Sequence, residues 1–283
     1  EKPREFPEKK TVLDFYFALR NFLNIYDLVD DHYVIYSQMT EEGQFRIRLF
    51  CVDPSVNLQK CIDKSNSTIF FSATLLPIGY YKRLLSTDED NYAIYAQSTF
   101  AQTQRLLAFG RDVSTKYTRR NRKEYEKIAD YIGAVTEAQQ GNYMVFFPSY
   151  RLMQDVYEVF AGKAADSCEI LMQHSNMKEH EREAFLEEFE KGRQGTLVAF
   201  CVMGGIFGEG IDLKNDRLIG AIIVGTGLPQ VSDEREILKN YYDERGLSGF
   251  DYAFRYPGMN KVLQAAGRVI RTTGDGGIIL LLD

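Results

Sequence analysis

Gln264, Arg268 and Arg271 stand at i, i+4 and i+7 of one stretch with apolar periodicity. At about 100° per residue they would share one stripe of a helix spanning Met259–Arg271. Two guanidinium groups on one stripe repel unless an anion lies between them. Phosphate is the anion whose oxygens match the guanidinium fork. Val262, Ala266 and Val269 fall on a different stripe, suited to burial. Gly267 costs roughly 1 kcal/mol against Ala in mid-helix, so its presence there predicts the close approach of a neighbour. A solvated basic face is the plainer alternative.

A second segment with anion-binding character is Met203–Leu213, which contains Gly204, Gly205, Gly208 and Gly210. Glycines let the backbone come close to a ligand, and such a loop can offer N–H groups to phosphates. Glu209 and Asp212 add carboxylates able to hold a ribose hydroxyl, an arginine or a water. Ile206, Phe207, Ile211 and Leu213 punctuate the glycines and argue against a solvated linker. The loop has no G-x-G-x-x-G fingerprint. Ser149 and Tyr150 follow the apolar run Tyr143–Phe147; a hydroxyl and free N–H groups at a helix start suit a phosphate oxygen, or simply cap the helix. His174 follows Glu169–Met172 and reads as structural or as a ligand. The window Lys116–Lys123 is the most basic; it suits a nucleic-acid backbone or a solvated charge run equally well.

The elements that would hold these segments alternate. Strands are expected at Tyr143–Phe147, Glu169–Met172, Thr196–Cys201, Leu218–Val224 and Ile278–Leu282, and helices at Tyr150–Ala161, Lys178–Glu190, Asp233–Glu244 and Met259–Arg271. Asn176 and Glu179 have the spacing of a capping box for the second helix. This alternation predicts an α/β fold with a parallel sheet flanked by helices, whose ligands bind at the carboxyl ends of the strands. Upstream, Leu13–Leu28 has helical spacing, Tyr33–Tyr36 and Phe45–Phe50 read as strands around a turn at Glu41–Gly43, and Asn57–Ile62 reads as a short helix. Thr68–Phe71 reads as a short strand ending in Ser72-Ala73-Thr74. The polar stretch Ser86–Asn91 predicts a domain boundary, giving domains 1–86 and 87–283.

Composition sets the outer limits. The chain has 283 residues, 45% apolar and 26% charged, with 18 Tyr, 19 Phe and no Trp. That excludes a disordered or collagen-like chain. No apolar run is long enough for a transmembrane helix. The net charge of −6 argues against a global nucleic-acid coat but leaves room for a local basic groove. Cys51, Cys61, Cys168 and Cys201 match no zinc or iron–sulfur spacing and read as buried reduced thiols. The opening EKPREFPEKK lacks a start Met and a signal core, which suggests an internal piece of a longer protein.

Four segments in order resemble the DinG/XPD group of superfamily 2 DNA helicases: Ser72-Ala73-Thr74 its Ser-Ala-Thr motif, Phe146–Tyr150 its motif IV, Gly204–Asp212 its motif V and Gln264–Arg271 its motif VI. The resemblance covers residues 68–283, and the segment before residue 66 only loosely. It implies a RecA-like second motor domain preceded by the end of the first motor domain or an insertion within it. Arg268 and Arg271 would then reach ATP and stabilise charge on the γ-phosphate, and Gln264 would sense the same phosphates. Glu209, Gly210 and Asp212 would belong to the nucleotide side and couple it to strand grip. Ser149, Tyr150, Gly204 and Gly205 would contact the single strand, and Ser72 and Thr74 would link the two events. The implied cofactor is ATP with Mg²⁺, held mainly by an upstream motor domain of the same polypeptide. No metal site is expected in this chain; an iron–sulfur cluster would belong only to the full-length protein. The implied partner is single-stranded DNA or a duplex junction, acted on with 5′→3′ polarity by a cytoplasmic (in bacteria, nucleoid-associated) monomer serving DNA repair.

The chain departs from that family in lacking G-x-x-x-x-G-K-[ST] and an Asp-Glu-Ala-His box. These elements bind Mg²⁺-ATP, so the chain alone is expected to be inactive. The alternatives are a non-catalytic nucleic-acid-binding or scaffold module of the same fold, another α/β phosphate-binding enzyme, and a motor acting on RNA or an RNA–DNA hybrid.

Overall fold

A computed structural model describes residues 8–164, 167–189, 193–208, 213 and 215–283. In chain order its elements are α1 (Lys9–Tyr26), β1 (Tyr33–Met39), β2 (Phe45–Cys51), α2 (Ser55–Ile62), α3 (Ile78–Leu85), β3 (Arg105–Gly110), α4 (Arg122–Ala138) and β4 (Asn142–Phe147). There follow α5 (Tyr150–Ala164), β5 (Glu169–Met172), α6 (Glu179–Glu187), β6 (Leu197–Val202), β7 (Gly220–Val224), α7 (Asp233–Glu244), α8 (Tyr256–Ala266) and β8 (Gly277–Leu282). Two compact units result. One comprises the described residues up to Ala93 with Val231–Ala253, the other Ile94–Gln230 with Phe254–Asp283.

In the first unit β1 and β2 pair antiparallel, Tyr33 opposite Cys51 and Met39 opposite Phe45. Gly43 turns the hairpin at φ +77°, a conformation that glycine adopts without a Cβ penalty. Helix α7, which alternates with the strands in sequence, packs in this unit. The Tyr36 hydroxyl donates to Glu234 at 2.6 Å, Tyr242 stacks on Tyr252 at 4.0 Å, and Tyr252 meets Tyr80 edge-on at 5.1 Å. The expected strand Thr68–Phe71 does not form: among the described residues it has no strand to pair with, and Ile69 and Phe71 are 81% and 89% exposed. A lone strand leaves its backbone groups unpaired, which explains the extended but irregular path.

The second unit is a six-stranded sheet in the order β3-β8-β7-β4-β6-β5, with every neighbouring pair parallel. Strands β4 and β7 are buried along their whole length, which is why they read as continuous apolar runs. Alternate residues feed two cores. Met144, Phe146, Ala199, Cys201 and Ile223 face Phe185 of α6 and Val262 and Ala265 of α8. Val145, Phe147, Val198, Phe200 and Ile222 face Ile128 and Ile132 of α4 and Leu152 and Val156 of α5. The sheet is therefore covered on both faces, as the alternation implied.

Two helix ends differ from expectation. Asn176 does not cap α6; it sits at φ +63°, and Glu181 accepts the Lys178 N–H at 2.6 Å two residues further on. The Met259–Arg271 helix is α8, which stops at Ala266 with Gly267 as its cap. Val269 leaves the helix to lodge in the core beside Gly277, where an added Cβ would stand 2.4 Å from Val269 Cγ1. At Gly267, φ −68°, a Cβ would meet only carbonyls of its own helix, Leu263 at 3.2 Å and Gln264 at 3.7 Å, so the expected close approach of a neighbour is not found there. Of the cysteines only Cys201 is buried, while Cys61 is exposed. Its apolar surroundings push the Cys201 thiol up from its ordinary pKa.

Candidate functional site

The candidate residues of the second unit collect at the carboxyl ends of its strands. After β4, Ser149 caps α5: its Oγ accepts the Leu152 N–H at 3.3 Å and its carbonyl the Met153 N–H at 3.1 Å. Its hydroxyl proton can still be donated. The Tyr150 hydroxyl accepts from Gln173 Nε2 at 2.8 Å, and Gln173 Oε1 accepts the Val202 N–H at 2.9 Å. Gln173 is only 2% exposed. Sequence reasoning looked past it to His174, which is exposed. A polar residue closing an apolar strand was the available signal.

After β6 the chain folds tightly over Met203–Gly208. Gly205 N–H donates to Val202 O at 3.2 Å and Gly208 N–H to Gly205 O at 2.7 Å. A Cβ on Gly208 would lie 3.0 Å from Gly204 and from the Gly205 carbonyl. Gly204 takes φ +68°, and a Cβ added there would stand 3.2 Å from Cε of Lys261 of α8. Phe207 anchors the loop in the core, stacked on Phe185 at 4.4 Å, as the apolar punctuation predicted. Glu209, Gly210 and Asp212 lie outside the described residues.

Helix α8 delivers Gln264, half-buried, in its last turn. Arg268 and Arg271 are not on a helical stripe with it, because the helix has ended. Arg268 lies in the turn that follows, and its Nη2 donates to the Gly208 carbonyl. Arg271 lies further on, its N–H held by Asp275 Oδ2 at 2.8 Å. The same oxygen accepts the Thr272 N–H at 2.7 Å, and Asp275 Oδ1 accepts the Thr272 hydroxyl at 2.6 Å.

The turn after β7 completes the edge. Gly227, at φ +65°, faces Gly258 of α8 so closely that a Cβ would stand 2.9 Å from the Gly258 carbonyl. Within this unit the structure thus joins three of the sequence segments: Ser149–Tyr150 to the β6 end through Gln173, and the glycine loop to the arginine segment through Arg268. Ser72 and Thr74 lie in the other unit, where Ser72 Oγ is 3.1 Å from Thr74 Oγ1 and accepts the Thr74 N–H at 3.2 Å.

Three arginines of the basic window have partners, two of them carboxylates. Arg119 pairs with Glu124 at 3.2 Å, Arg122 with Glu126 at 3.1 Å, and Arg120 donates to the Thr115 carbonyl at 3.0 Å. The window runs into α4, whose cap Asn121 accepts the Lys123 and Glu124 N–H groups. Among the described residues no group of three or more His, Cys, Asp or Glu is placed to hold a metal, and no helix is long and apolar enough to cross a membrane.

A parallel sheet with a glycine turn, an arginine segment on that turn and a capped helix beside them is the architecture of a helicase motor domain. Residues 132–283 match the helicase C-terminal domain family, and the chain belongs to it, as the C-terminal portion of a DinG/XPD-type superfamily 2 helicase. It is 25% identical over 296 residues to the probable ATP-dependent helicase MJ0942 of Methanocaldococcus jannaschii, covering 99% of this chain and 43% of that protein. It is 26% identical over 271 residues to the general transcription and DNA repair factor IIH helicase subunit XPD/RAD3 of Saccharomyces cerevisiae, covering 84% of this chain and 32% of that one. An apo XPD structure has the same fold, with a TM-score of 0.67 at 20% identity, covering 98% of this chain and 55% of the other. The chain thus spans less than half the length of these two relatives.

Proposed function

We propose that this chain works as the second half of an ATP-dependent DNA helicase that moves along single-stranded DNA in the 5′→3′ direction. On this reading the unit that holds the described residues up to Ala93 and Val231–Ala253 belongs to the end of the first motor domain or an insertion in it, Ile94–Gln230 with Phe254–Asp283 form the second motor domain in place of the expected split at residue 86, and the protein acts as a cytoplasmic monomer in DNA repair. The observation that carries it is the Arg268 guanidinium seated on the Gly208 carbonyl, which puts a cation against the glycine turn at the carboxyl edge of the sheet.

These residues fit a nucleoside triphosphate. Guanidinium groups and closely folded glycine backbone, with no room for a Cβ at Gly208, are a donor set for phosphate oxygens. ATP supplies the phosphoanhydride whose cleavage drives each step. Arg268 and Arg271 stabilise negative charge on the terminal phosphate, and Gln264 orients the group attacking it. Glu209, Gly210 and Asp212 relay that state, with Ser72 and Thr74, to the strand. Ser149, Tyr150, Gly204 and Gly205 hold phosphates of the strand through hydroxyl and backbone donors.

Mg²⁺ and most of the ATP contacts come from the other motor domain of the polypeptide; an iron–sulfur cluster, where one exists, belongs there too. The exposed Ile69 and Phe71 support such a neighbour. Since this chain has no phosphate-loop lysine and no Asp-Glu-Ala-His box, we infer that alone it hydrolyses no ATP.

The test is ATP hydrolysis by the full-length polypeptide with and without single-stranded DNA, beside Arg268→Ala. A residue of this kind is worth about 10³ to 10⁵ in rate, so strand-stimulated turnover should fall by that order. Stimulation by RNA or hybrid instead of DNA would change the substrate. No hydrolysis by a folded full-length protein would favour a binding module.

A further inference from the structure

Asp275 lies outside every segment singled out for chemistry, yet it is 4% exposed and all three hydrogen bonds described above end on the Arg271–Thr272 pair. Two of them come from consecutive backbone N–H groups to one carboxylate oxygen, which fixes the orientation of the peptide plane between Arg271 and Thr272. Short bonds to an ionised carboxylate are stronger than neutral ones. The turn is tied from a second side, since Gln104 Nε2 donates to the Thr273 carbonyl at 2.6 Å. Arg271 sits past the end of α8 and gets no rigidity from helical hydrogen bonding. The buried carboxylate supplies what the helix does not.

We propose that Asp275 is the positioning residue for Arg271: it sets where that guanidinium stands and so acts on turnover through Arg271 alone. This rests on Arg271 reaching the nucleotide phosphates, as proposed above. Asp275 itself touches no substrate. Placement matters because an error of about 1 Å in a group that stabilises the transition state costs roughly 10²-fold in rate.

The experiment is a double-mutant cycle in the full-length polypeptide, reading kcat and KM for strand-stimulated ATP hydrolysis of Arg271→Ala, Asp275→Ala and the double variant. Melting temperature and single-strand affinity serve as controls for folding. Asp275→Ala is expected to lower kcat by roughly 10²-fold, with KM changed much less. The double variant should be no slower than Arg271→Ala, because one side chain acts through the other. Asp275→Asn keeps one oxygen for both N–H groups and should recover most of the loss. If Asp275→Ala does not fold, Asp275→Ser replaces it, since its shorter side chain cannot span to both groups.

Multiplying losses in the double variant, or full turnover in both Asp275→Ala and Asp275→Ser, would overturn the positioning role while leaving Arg271 at the phosphates. Unchanged turnover in Arg271→Ala would remove Arg271 from the reaction and the positioning role with it.

Discussion

Gln173 and Tyr150, on neighbouring turns of the sheet edge, are joined side chain to side chain at 2.8 Å, and the other end of the Gln173 amide holds the Val202 N–H at 2.9 Å. One amide therefore aligns the ends of β5 and β6 with the start of α5. Gln173→Ala removes a donor and an acceptor from a buried place and leaves the Val202 N–H without its partner. A cost of about 1–3 kcal/mol is expected, read as a lower urea midpoint with an unchanged slope. An unchanged midpoint would show that the alignment does not depend on this residue.

The Gly227–Gly258 contact makes a second prediction. Gly227→Ala combines a left-handed backbone, which costs an L-residue roughly 1–2 kcal/mol, with a Cβ 2.9 Å from a backbone carbonyl. Gly195 is also at positive φ, +90°, but has open space where its Cβ would be. Gly195→Ala should therefore show the conformational cost alone, and Gly227→Ala should lower the urea midpoint further. Because Gly258 lies in the first turn of the helix that carries Gln264, strand-stimulated hydrolysis should fall with Gly227→Ala and hold with Gly195→Ala.

Alkaline stability reports on Tyr143. Burial pushes its hydroxyl up to about 12 from an ordinary value of 10, and the group donates to the Gln139 carbonyl at 2.6 Å. The native state thus keeps its proton where the unfolded chain has lost it. Stability from this group is intact below pH 10 and falls, by about 1.4 kcal/mol per unit, between pH 10 and 12. Tyr143→Phe loses the hydrogen bond at neutral pH, about 1 kcal/mol, but should show a shallower alkaline decline. Parallel declines in urea titrations of the two proteins would refute the assignment.

Much of the sheet could be read directly. Glu169–Met172 is a strand with the expected bounds, and Asp233–Glu244 a helix with the expected bounds, because apolar runs and amphipathic spacing are local properties. β3 and α4 escaped notice. β3 is an edge strand whose apolar run, Leu106–Phe109, is only four residues long, too short for its periodicity to tell strand from helix. The start of α4 was hidden in what looked like a charge run; its meaning came from Glu124, a buried partner for Arg119 and for the Ser114 N–H. The arginine segment misled for a different reason. Helical spacing persists through Arg271 in the sequence, but core packing of Val269 against Gly277 ends the helix earlier, and such a contact between distant elements leaves no local trace. Asp275 leaves no local signal, because its bonds to Arg271 and Thr272 exist only once the turn has folded.

The position of β8 between β3 and β7 has a consequence for biosynthesis. β3 is the first strand of this sheet to be made, and among the described residues it pairs with β8, the last strand of the sheet to leave the ribosome. At about 5–20 residues per second, β3 waits on the order of ten seconds for its neighbour. Meanwhile its unpaired N–H and C=O groups, beside Leu106, Leu107 and Phe109, offer a template to any passing strand. The nascent chain is thus most open to mispairing while its motor unit is still one strand short, and a holding chaperone would matter most in that interval.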